Sequence, residues 1–364
     1  MDFKELKRKL SSGGRMSDAE AVELLQTEDI FSLGELANSI CEKRNRKFVH
    51  FIRNRHINPG NICINRCKFC AFSRSAGEKG AYAYTIPQMV DMARASKGST
   101  GRPQPPVSEF HIVGGLNPDM GVDFYSELFR ALKKEVPGVT IKALTAVEID
   151  YLSRCSGIKI KKILEILRDA GLDSMPGGGA EIFRQKVRAL LCPEKIDGKK
   201  WLNIMETAHK TGIKTTATML FGHLESFGDR VDHLRRLRAL QDKTGGFLAF
   251  IPLPFHPKNT GIKDAHPVSG LDILRTVAVS RLYLDNFDHI KAYWIMTGEK
   301  LAQTCLLFGA DDLDGTVIEE KIAHDAGAES KKAMTVEEIT GMIKKAGKTP
   351  VERDTFYRRL KVWE

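Results

Sequence analysis

From residue 48 onward the chain alternates short apolar runs with segments whose apolar residues recur at helical spacing, and that order most narrowly limits the folds open to it. The runs FVHFI, EFHIV, VTIKALT, TTATMLF, FLAFIPL and HIKAYWI read as strands, with a weaker one at GLDSM. Between them YSELFRALKKE, KKILEILRDA, WLNIMETAHKTG, RVDHLRRLRALQ and ILRTVAVSRLYLDN read as helices. A helix after each strand returns the chain to the starting edge, so successive strands lie parallel. The expected fold is α/β: a TIM-type (β/α) barrel, full or nearly full, over residues 48–312. An N-terminal helical segment, 1–47, precedes it, and a C-terminal helical extension, 313–364, packs on it. Ser17 with Glu20, and Thr335 with Glu338, have the spacing of capping boxes that start helices in those flanking segments. At 364 residues and 42% hydrophobic, the chain can bury a core of this size.

Seven cysteines is an odd number, and three of them crowd into CINRCKFC just after the first strand. Crowding of this kind argues for metal ligation in a reducing compartment over a disulfide framework. Cys63, Cys67 and Cys70, spaced C-x3-C-x2-C on one loop, can hold three irons of a cubane cluster and leave the fourth iron free to bind a cofactor. The competing readings are a zinc site, a ferredoxin-type cluster and three buried thiols. Structural zinc usually has two cysteine pairs or nearby histidines, and a ferredoxin supplies a fourth cysteine in the same run; neither pattern is present. Cys41, Cys155, Cys192 and Cys305 are isolated and read as small core residues. No apolar run approaches the roughly 20 residues of a membrane span, and MDFKELKRKL is charged and amphipathic, so a cytoplasmic protein without a membrane partner is expected. The net charge of +10 is dispersed among acidic residues, which argues against a nucleic-acid partner and for a field that draws small anions.

Barrels of this class build their sites at the carboxyl ends of the strands. Gly114 and Gly115 end one such strand, where glycine lets the backbone approach a ligand or simply makes a tight turn. Thr145 and Glu148 fit a capping box as well as a cofactor contact. Gly177, Gly178 and Gly179 precede a helix start, either as amides aimed at an anion or as a flexible connection. His223 and Glu225 follow TTATMLF, and His256 and Asn259 follow FLAFIPL. Arg188 reads as a bidentate partner for a substrate carboxylate or as a solvent-facing helix residue. Asp285, His289 and His324 complete the candidates.

The cysteine spacing, with the aromatic Phe69 before the last thiol, resembles the signature of the radical S-adenosylmethionine superfamily. That resemblance implies a 4Fe-4S cluster whose open iron is chelated by the methionine amino and carboxylate groups, reductive cleavage at the sulfonium, and release of a deoxyadenosyl radical. A comparable glycine pair in that superfamily receives the methionine amino group. The strings NICINRCKFCAF, HIVGGLNPD, LTAVEI, GLDSMPGGGAEIF, ATMLFGHLES, TGGFLAFIPLPFHPKNT and GADDLDGTVIEEKIAHDAGA are similar to those of the aminodeoxyfutalosine synthase family, radical enzymes of the futalosine route to menaquinone. The likeness runs from about residue 40 nearly to the C-terminus. Dehypoxanthine futalosine cyclase and the deazaflavin FO synthase subunits share part of these strings. His256 and the GADDLDGT segment side with the synthases, since the cyclase typically has glutamine in the place of His256.

The implied reaction adds the adenosyl group to 3-(1-carboxyvinyloxy)benzoate, with aryl migration and decarboxylation, to give 6-amino-6-deoxyfutalosine, methionine and bicarbonate. S-adenosylmethionine is then a consumed co-substrate, the other substrate a small anionic aromatic, and an external donor such as flavodoxin or ferredoxin supplies the electron. A homodimer is left open. The implied site has Cys63, Cys67 and Cys70 on the cluster. Phe69, Gly114, Gly115, Thr145, Glu148, Gly177, Gly178, Gly179 and Arg188 surround the cofactor, and His256, Glu225 and His223 assist late proton or electron steps. The alternative of another class is a non-catalytic iron-sulfur electron carrier, against which the missing fourth cysteine speaks.

Overall fold

The computed structural model describes residues 2–95, 107–263 and 265–364. Three helices come first: α1 (Phe3–Ser11), α2 (Asp18–Leu25) and α3 (Ile30–Asn45). Each is started by an acceptor side chain that satisfies otherwise orphaned amides: Asp2 for α1, the Ser17 and Glu20 capping box for α2, and Asp29 for α3. Arg15 fixes this segment to the rest through Asp242 and Asp285, at 2.7 and 2.8 Å.

Strands β1 (Phe48–Ile52), β2 (Asn54–Ile57), β3 (Glu109–Ile112), β4 (Thr140–Ala143), β5 (Ser174–Met175), β6 (Lys214–Phe221), β7 (Phe247–Pro254) and β8 (His289–Ile290) follow. From β2 to β8 every neighbouring pair is parallel, in chain order. Strand β9 (Asp312–Gly315) pairs parallel with β1. Parallel bridges also join Lys291 to Asp312 and Arg55 to Ile318. β9 and the residues just after it therefore fill the gap between β8 and the β1–β2 stave, and the sheet closes into a TIM-type barrel. Beside β1, β10 (Thr349–Arg353) pairs parallel and β11 (Arg359–Val362) extends the ribbon antiparallel.

The helices form the outer ring: α4 (Ile86–Ala95), α5 (Val122–Glu135), α6 (Ala146–Ser156), α7 (Ile160–Ala170), α8 (Gln185–Leu191), α9 (Gly198–Lys210), α10 (Phe227–Thr244) and α11 (Gly270–Tyr283). Shorter ones, α12 (Trp294–Thr297), α13 (Glu299–Cys305), α14 (Ile322–Asp325) and α15 (Val336–Lys345), follow β8 and β9. In α7 the apolar Ile163, Leu164 and Leu167 face the core while its lysines face out, the stripe expected of a barrel helix. Phe110, Phe129 and Phe250 are completely buried, and truncating any one of them to alanine is expected to cost about 3–5 kcal/mol. Among the described residues no helix is long and apolar enough to cross a membrane.

Several expectations change in detail. The first stave is broken at Arg53, and its second half, NRHI, is what pairs with β3. The run HIKAYWI is a strand only over His289–Ile290, because Trp294 already begins a helix. The C-terminal region is mixed, not purely helical: β9 spans the boundary drawn at 312 and 313, and YRRLKVWE contains β11. DDLDG looks like a loop by composition, yet all four residues of β9 are buried, because Asp312 meets Arg353 at 2.7 Å and Asp314 meets Lys291 and Asn54. Cys155 is exposed, on the outer face of α6, whereas Cys41, Cys192 and Cys305 are buried as expected.

Candidate active site

Beyond the carboxyl end of β2 the chain makes a long loop over the barrel mouth before α4. Backbone hydrogen bonds tie it down: Cys63 N to Arg74 O at 3.0 Å, Ile64 N to Leu116 O at 3.2 Å, Lys68 N to Leu191 O at 2.8 Å, and Cys70 N to Cys67 O at 3.0 Å. Cys63, Cys67 and Cys70 are free thiols, and all three line one cavity of about 340 Å³. Phe69 lines it too, with the Lys195 ammonium 4.8 Å from its ring centre. Lys195 pairs with Glu181 at 2.7 Å. Burial works against the Lys195 charge, but Cys67, Glu181 and Cys192 hold its pKa above the usual lysine range. A fixed cation therefore stands beside the thiols.

The glycines serve close packing as much as ligand approach. Gly115 N donates to Gly60 O at 2.9 Å, and a β-carbon there would lie 2.2 Å from Ile62 O, so this residue lets the cysteine loop rest on the end of β3. Gly114 N reaches Glu148 Oε1 at 3.3 Å. Thr145 and Glu148 form the capping box of α6, and both also line the cavity. Burial pushes the Glu148 carboxyl up to about 7, against the hydrogen bonds from Thr145 and Gly114. Gly177, Gly178 and Gly179 also line the cavity, and Gly179 has φ +83° with Val147 packed where a β-carbon would go. Leu144 (φ 59°) and Glu181 (φ 46°), next to these segments, are left-handed without being glycine; such strain collects at functional rims.

Arg188 does not face a substrate. Its buried guanidinium donates to Ala180 O at 2.6 Å, Ile182 O at 3.2 Å, Gly179 O at 3.3 Å and Ile196 O, so it braces the glycine loop from behind. Trp201 Nε1 adds a bond to Gly178 O at 3.1 Å, and Thr218 Oγ1 one to Gly177 O at 2.7 Å. His223 and Glu225 likewise stay off the cavity wall. Glu225 accepts from the amides of Gly222 and His223 at 2.5 and 2.9 Å and from Arg230 Nε at 2.8 Å, while His223 Nε2 donates to Leu220 O at 3.0 Å. Burial alone would raise the Glu225 carboxyl, but His223 and Arg230 hold it down at about 2. This group stitches the corner between β6 and α10.

His256 does line the cavity, its Nε2 donating to Met296 O at 2.8 Å. Asn259 is turned away, donating to Asp325 O at 3.0 Å. His324 bonds Glu320, whose carboxylate pushes it up to about 9, and Glu320 itself lines the cavity. Asp285 is a surface partner of Arg15. His289 sits at the opposite end of the barrel, donating to Asp311 at 2.6 Å and stacked on Tyr357 at 3.7 Å. The residues the sequence reading missed are polar side chains inside the staves, chiefly His56, His111, Lys142, Lys291 and Asp314. For His111, Lys142 and Lys291 the signal was a charged or imidazole side chain at an inward-alternating position of an otherwise apolar run, whereas NRHI and DDLDG gave no such run around His56 and Asp314.

The donor set fits a 4Fe-4S cluster: three free thiols from one short loop, a neighbouring buried cation, and no fourth cysteine among the residues lining the cavity. A family model described as the radical SAM superfamily matches residues 57–237, and one described as the CofH/MqnC C-terminal region matches residues 244–364. Barrel, thiol loop and glycine-lined mouth together are those of a radical S-adenosylmethionine enzyme, the class that uses such a cluster to cleave S-adenosylmethionine. Two curated relatives are aminodeoxyfutalosine synthases. That of Thermus thermophilus is 43% identical over 98% of this chain and 95% of its own length, and that of Streptomyces coelicolor 41% identical over 99% and 95%. The chain therefore belongs to the family of radical S-adenosylmethionine enzymes that contains the aminodeoxyfutalosine synthases.

The same family includes a 5-amino-6-(D-ribitylamino)uracil--L-tyrosine 4-hydroxyphenyl transferase of Methanoculleus marisnigri, 39% identical over 98% of both chains, and a cyclic dehypoxanthine futalosine synthase of Streptomyces coelicolor, 35% identical over 99% of this chain and 90% of its own length. Among solved structures, the FeFe-hydrogenase maturase HydG from Carboxydothermus hydrogenoformans shares the fold, with TM-score 0.76, 18% identity, and coverage of 98% of this chain and 81% of its own.

Proposed function

We propose that this chain catalyses the aminodeoxyfutalosine synthase reaction. It would join the adenosyl group of S-adenosylmethionine to the methylene of 3-(1-carboxyvinyloxy)benzoate, move the aryl group from oxygen to carbon and release the carboxylate carbon, which takes up water, giving 6-amino-6-deoxyfutalosine, methionine and bicarbonate. The observation that carries the reading is full-length similarity: the two synthases match this chain more closely than the named transferase or cyclic synthase does. A histidine at position 256 on the cavity wall supports the same choice.

Cys63, Cys67 and Cys70 would hold the cluster, which when bound would supply the single electron for cleavage of S-adenosylmethionine and take it back as the carboxylate leaves, an external carrier such as flavodoxin or ferredoxin reducing it at the outset. The chain itself binds, orients and excludes. Glu148, held at the mouth by the amides of Thr145 and Gly114, offers an acceptor to the ammonium of the methionine portion. The Gly177, Gly178 and Gly179 segment, braced by Arg188 and Trp201, lets that ligand lie close to the backbone. Apolar walls from Leu116, Val147, Ile251, Leu253 and Phe255 keep water and stray hydrogen donors from the reacting carbon. His256 donates from Nε2 to Met296 O, which makes Nδ1 the ring atom placed to handle a late proton.

The test is to incubate the anaerobically reconstituted, reduced protein with both substrates and to follow adenine-containing products by mass spectrometry. A product carrying adenosyl and benzoate moieties together supports the reading. Cleavage to free deoxyadenosine with no adduct refutes this substrate while keeping the radical class.

A further inference from the structure

Three adjacent staves of the cavity carry polar side chains at one level: His56 of β2, His111 of β3 and Lys142 of β4 are direct register partners. They lie within the strands, whereas the thiols and glycines follow the strand ends. The imidazoles of His56 and His111 stack with centroids 4.5 Å apart and planes 10° apart. His56 is 6% exposed, and its Nε2 has no hydrogen-bond partner among the described residues. A buried ring nitrogen left unpaired is costly, and the open cavity is where a partner would enter.

The surroundings define that partner. Burial keeps both imidazoles neutral at ordinary pH, so each has one N–H to give. Lys142 and Lys291 also line this level and are buried, Lys142 beside Glu109 at 3.1 Å and Lys291 beside Asp314 and, at 3.8 Å, Asp312. Each ammonium has three donors, so donors remain beyond those contacts. The carboxylates nearby, Glu109, Asp312, Asp314 and Glu320, already have cationic partners in Lys142, Lys291, Arg353 and His324, so what this level offers a ligand is unmet donors, which a multiply accepting group such as a carboxylate fits. In the substrate proposed above, the methylene and one carboxylate share an end, and the ring carboxylate is at the other. The methylene must meet the adenosyl carbon near the thiols, so the ring carboxylate is the group that extends down among the staves.

We propose that His56, stacked on His111 and flanked by Lys142 and Lys291, donates from Nε2 to the ring carboxylate of the aromatic substrate and so sets how deep that substrate sits. This rests on the substrate proposed above. The test measures equilibrium binding by calorimetry to the oxidised, cluster-loaded enzyme with S-adenosylmethionine present, a state that does not turn over. The probes are 3-(1-carboxyvinyloxy)benzoate and the analogue with hydrogen in place of the ring carboxylate. Wild type is expected to prefer the carboxylate probe by roughly 10- to 100-fold, the worth of a hydrogen bond to a charged group.

His56→Phe should lose most of that preference while binding the analogue as before. His56→Gln, whose amide reaches the Nε2 position, should recover part of it. His56→Asn, with its amide at the Nδ1 position, should not, and this pair decides the matter should the phenylalanine variant fail to fold or to hold its cluster, as visible absorption reports. A preference unchanged in the variants overturns the subsite alone when wild type forms the adduct. A wild type that binds neither probe and forms no adduct overturns the substrate and the subsite with it.

Discussion

Adding one methyl group at Gly115 should disturb both stability and the cluster. The new carbon would stand 2.2 Å from Ile62 O, 2.7 Å from Ile62 C and 3.0 Å from Cys63 Cβ. None of these is the end of a flexible side chain, so the end of β3 and the cysteine loop must part by about 1 Å to restore ordinary contact. The bonds from Gly115 N to Gly60 O and from Ile64 N to Leu116 O span the same seam and would stretch with it. Overpacking of this kind costs about 1–3 kcal/mol, and the displacement carries Cys63 away from Cys67 and Cys70. Gly115→Ala is therefore expected to unfold at lower denaturant than wild type and, after anaerobic reconstitution, to hold clearly less iron and sulfide per chain. Gly341→Ala, inside α15 with open space at the new carbon, is the control and should be neutral or stabilising by up to about 1 kcal/mol. A Gly115→Ala protein with wild-type stability and a full cluster would refute the packing argument.

Replacing Arg188 with methionine leaves four carbonyls behind the glycine loop without their donor, and should cost about 3 kcal/mol or more in urea unfolding while weakening S-adenosylmethionine binding; an unaffected affinity would show that the brace does not matter to the mouth. Because the folded Glu148 carboxyl titrates near 7 and the unfolded one near 4.5, the cofactor-free wild type should lose up to about 3 kcal/mol of stability as pH rises through that window. Glu148→Gln should escape that loss, so a gap between the two proteins that stays constant with pH would contradict the burial argument. Cys67→Ala should abolish the cluster, whereas Cys192→Ala, a buried thiol near Lys195 but outside the loop, should keep it; equal iron contents would undo the three-thiol assignment.

What could be read in the sequence was what chemistry forces into local patterns. Three thiols must share a loop to hold one cluster, and glycine must stand where backbones touch, so Cys63, Cys67, Cys70, Gly114, Gly115 and the Gly177, Gly178 and Gly179 run were visible as strings. Strand and helix order gave the barrel for the same reason. Direction was not visible. Arg188, His223 and Glu225 sit close to strand ends, as a catalytic residue would, yet their partners are carbonyls and amides that only the folded chain brings together. β9 was hidden because carboxylates in a strand need counter-charges, and those of Asp312 and Asp314 come from Arg353 and Lys291, far away or on another stave. His111 and Lys142 were overlooked inside EFHIV and VTIKALT, where strict alternation would have marked them as inward-facing, and His56 lay in NRHI, just past FVHFI, where no strand was read.

The order in which the chain is made bears on how it folds. β9 is the stave between β8 and β1, so during synthesis the first eight strands can exist only as an open, curled sheet with two bare parallel edges until Gly315 has emerged. Closure then joins β1 to strands laid down at the other end of the chain, β9 and afterwards β10, contacts whose long sequence separation makes them slow to form. The growing polypeptide thus spends most of its synthesis with sticky edges that are not yet covered. In a cell, the demand on chaperones and the danger of aggregation should fall mainly in that interval.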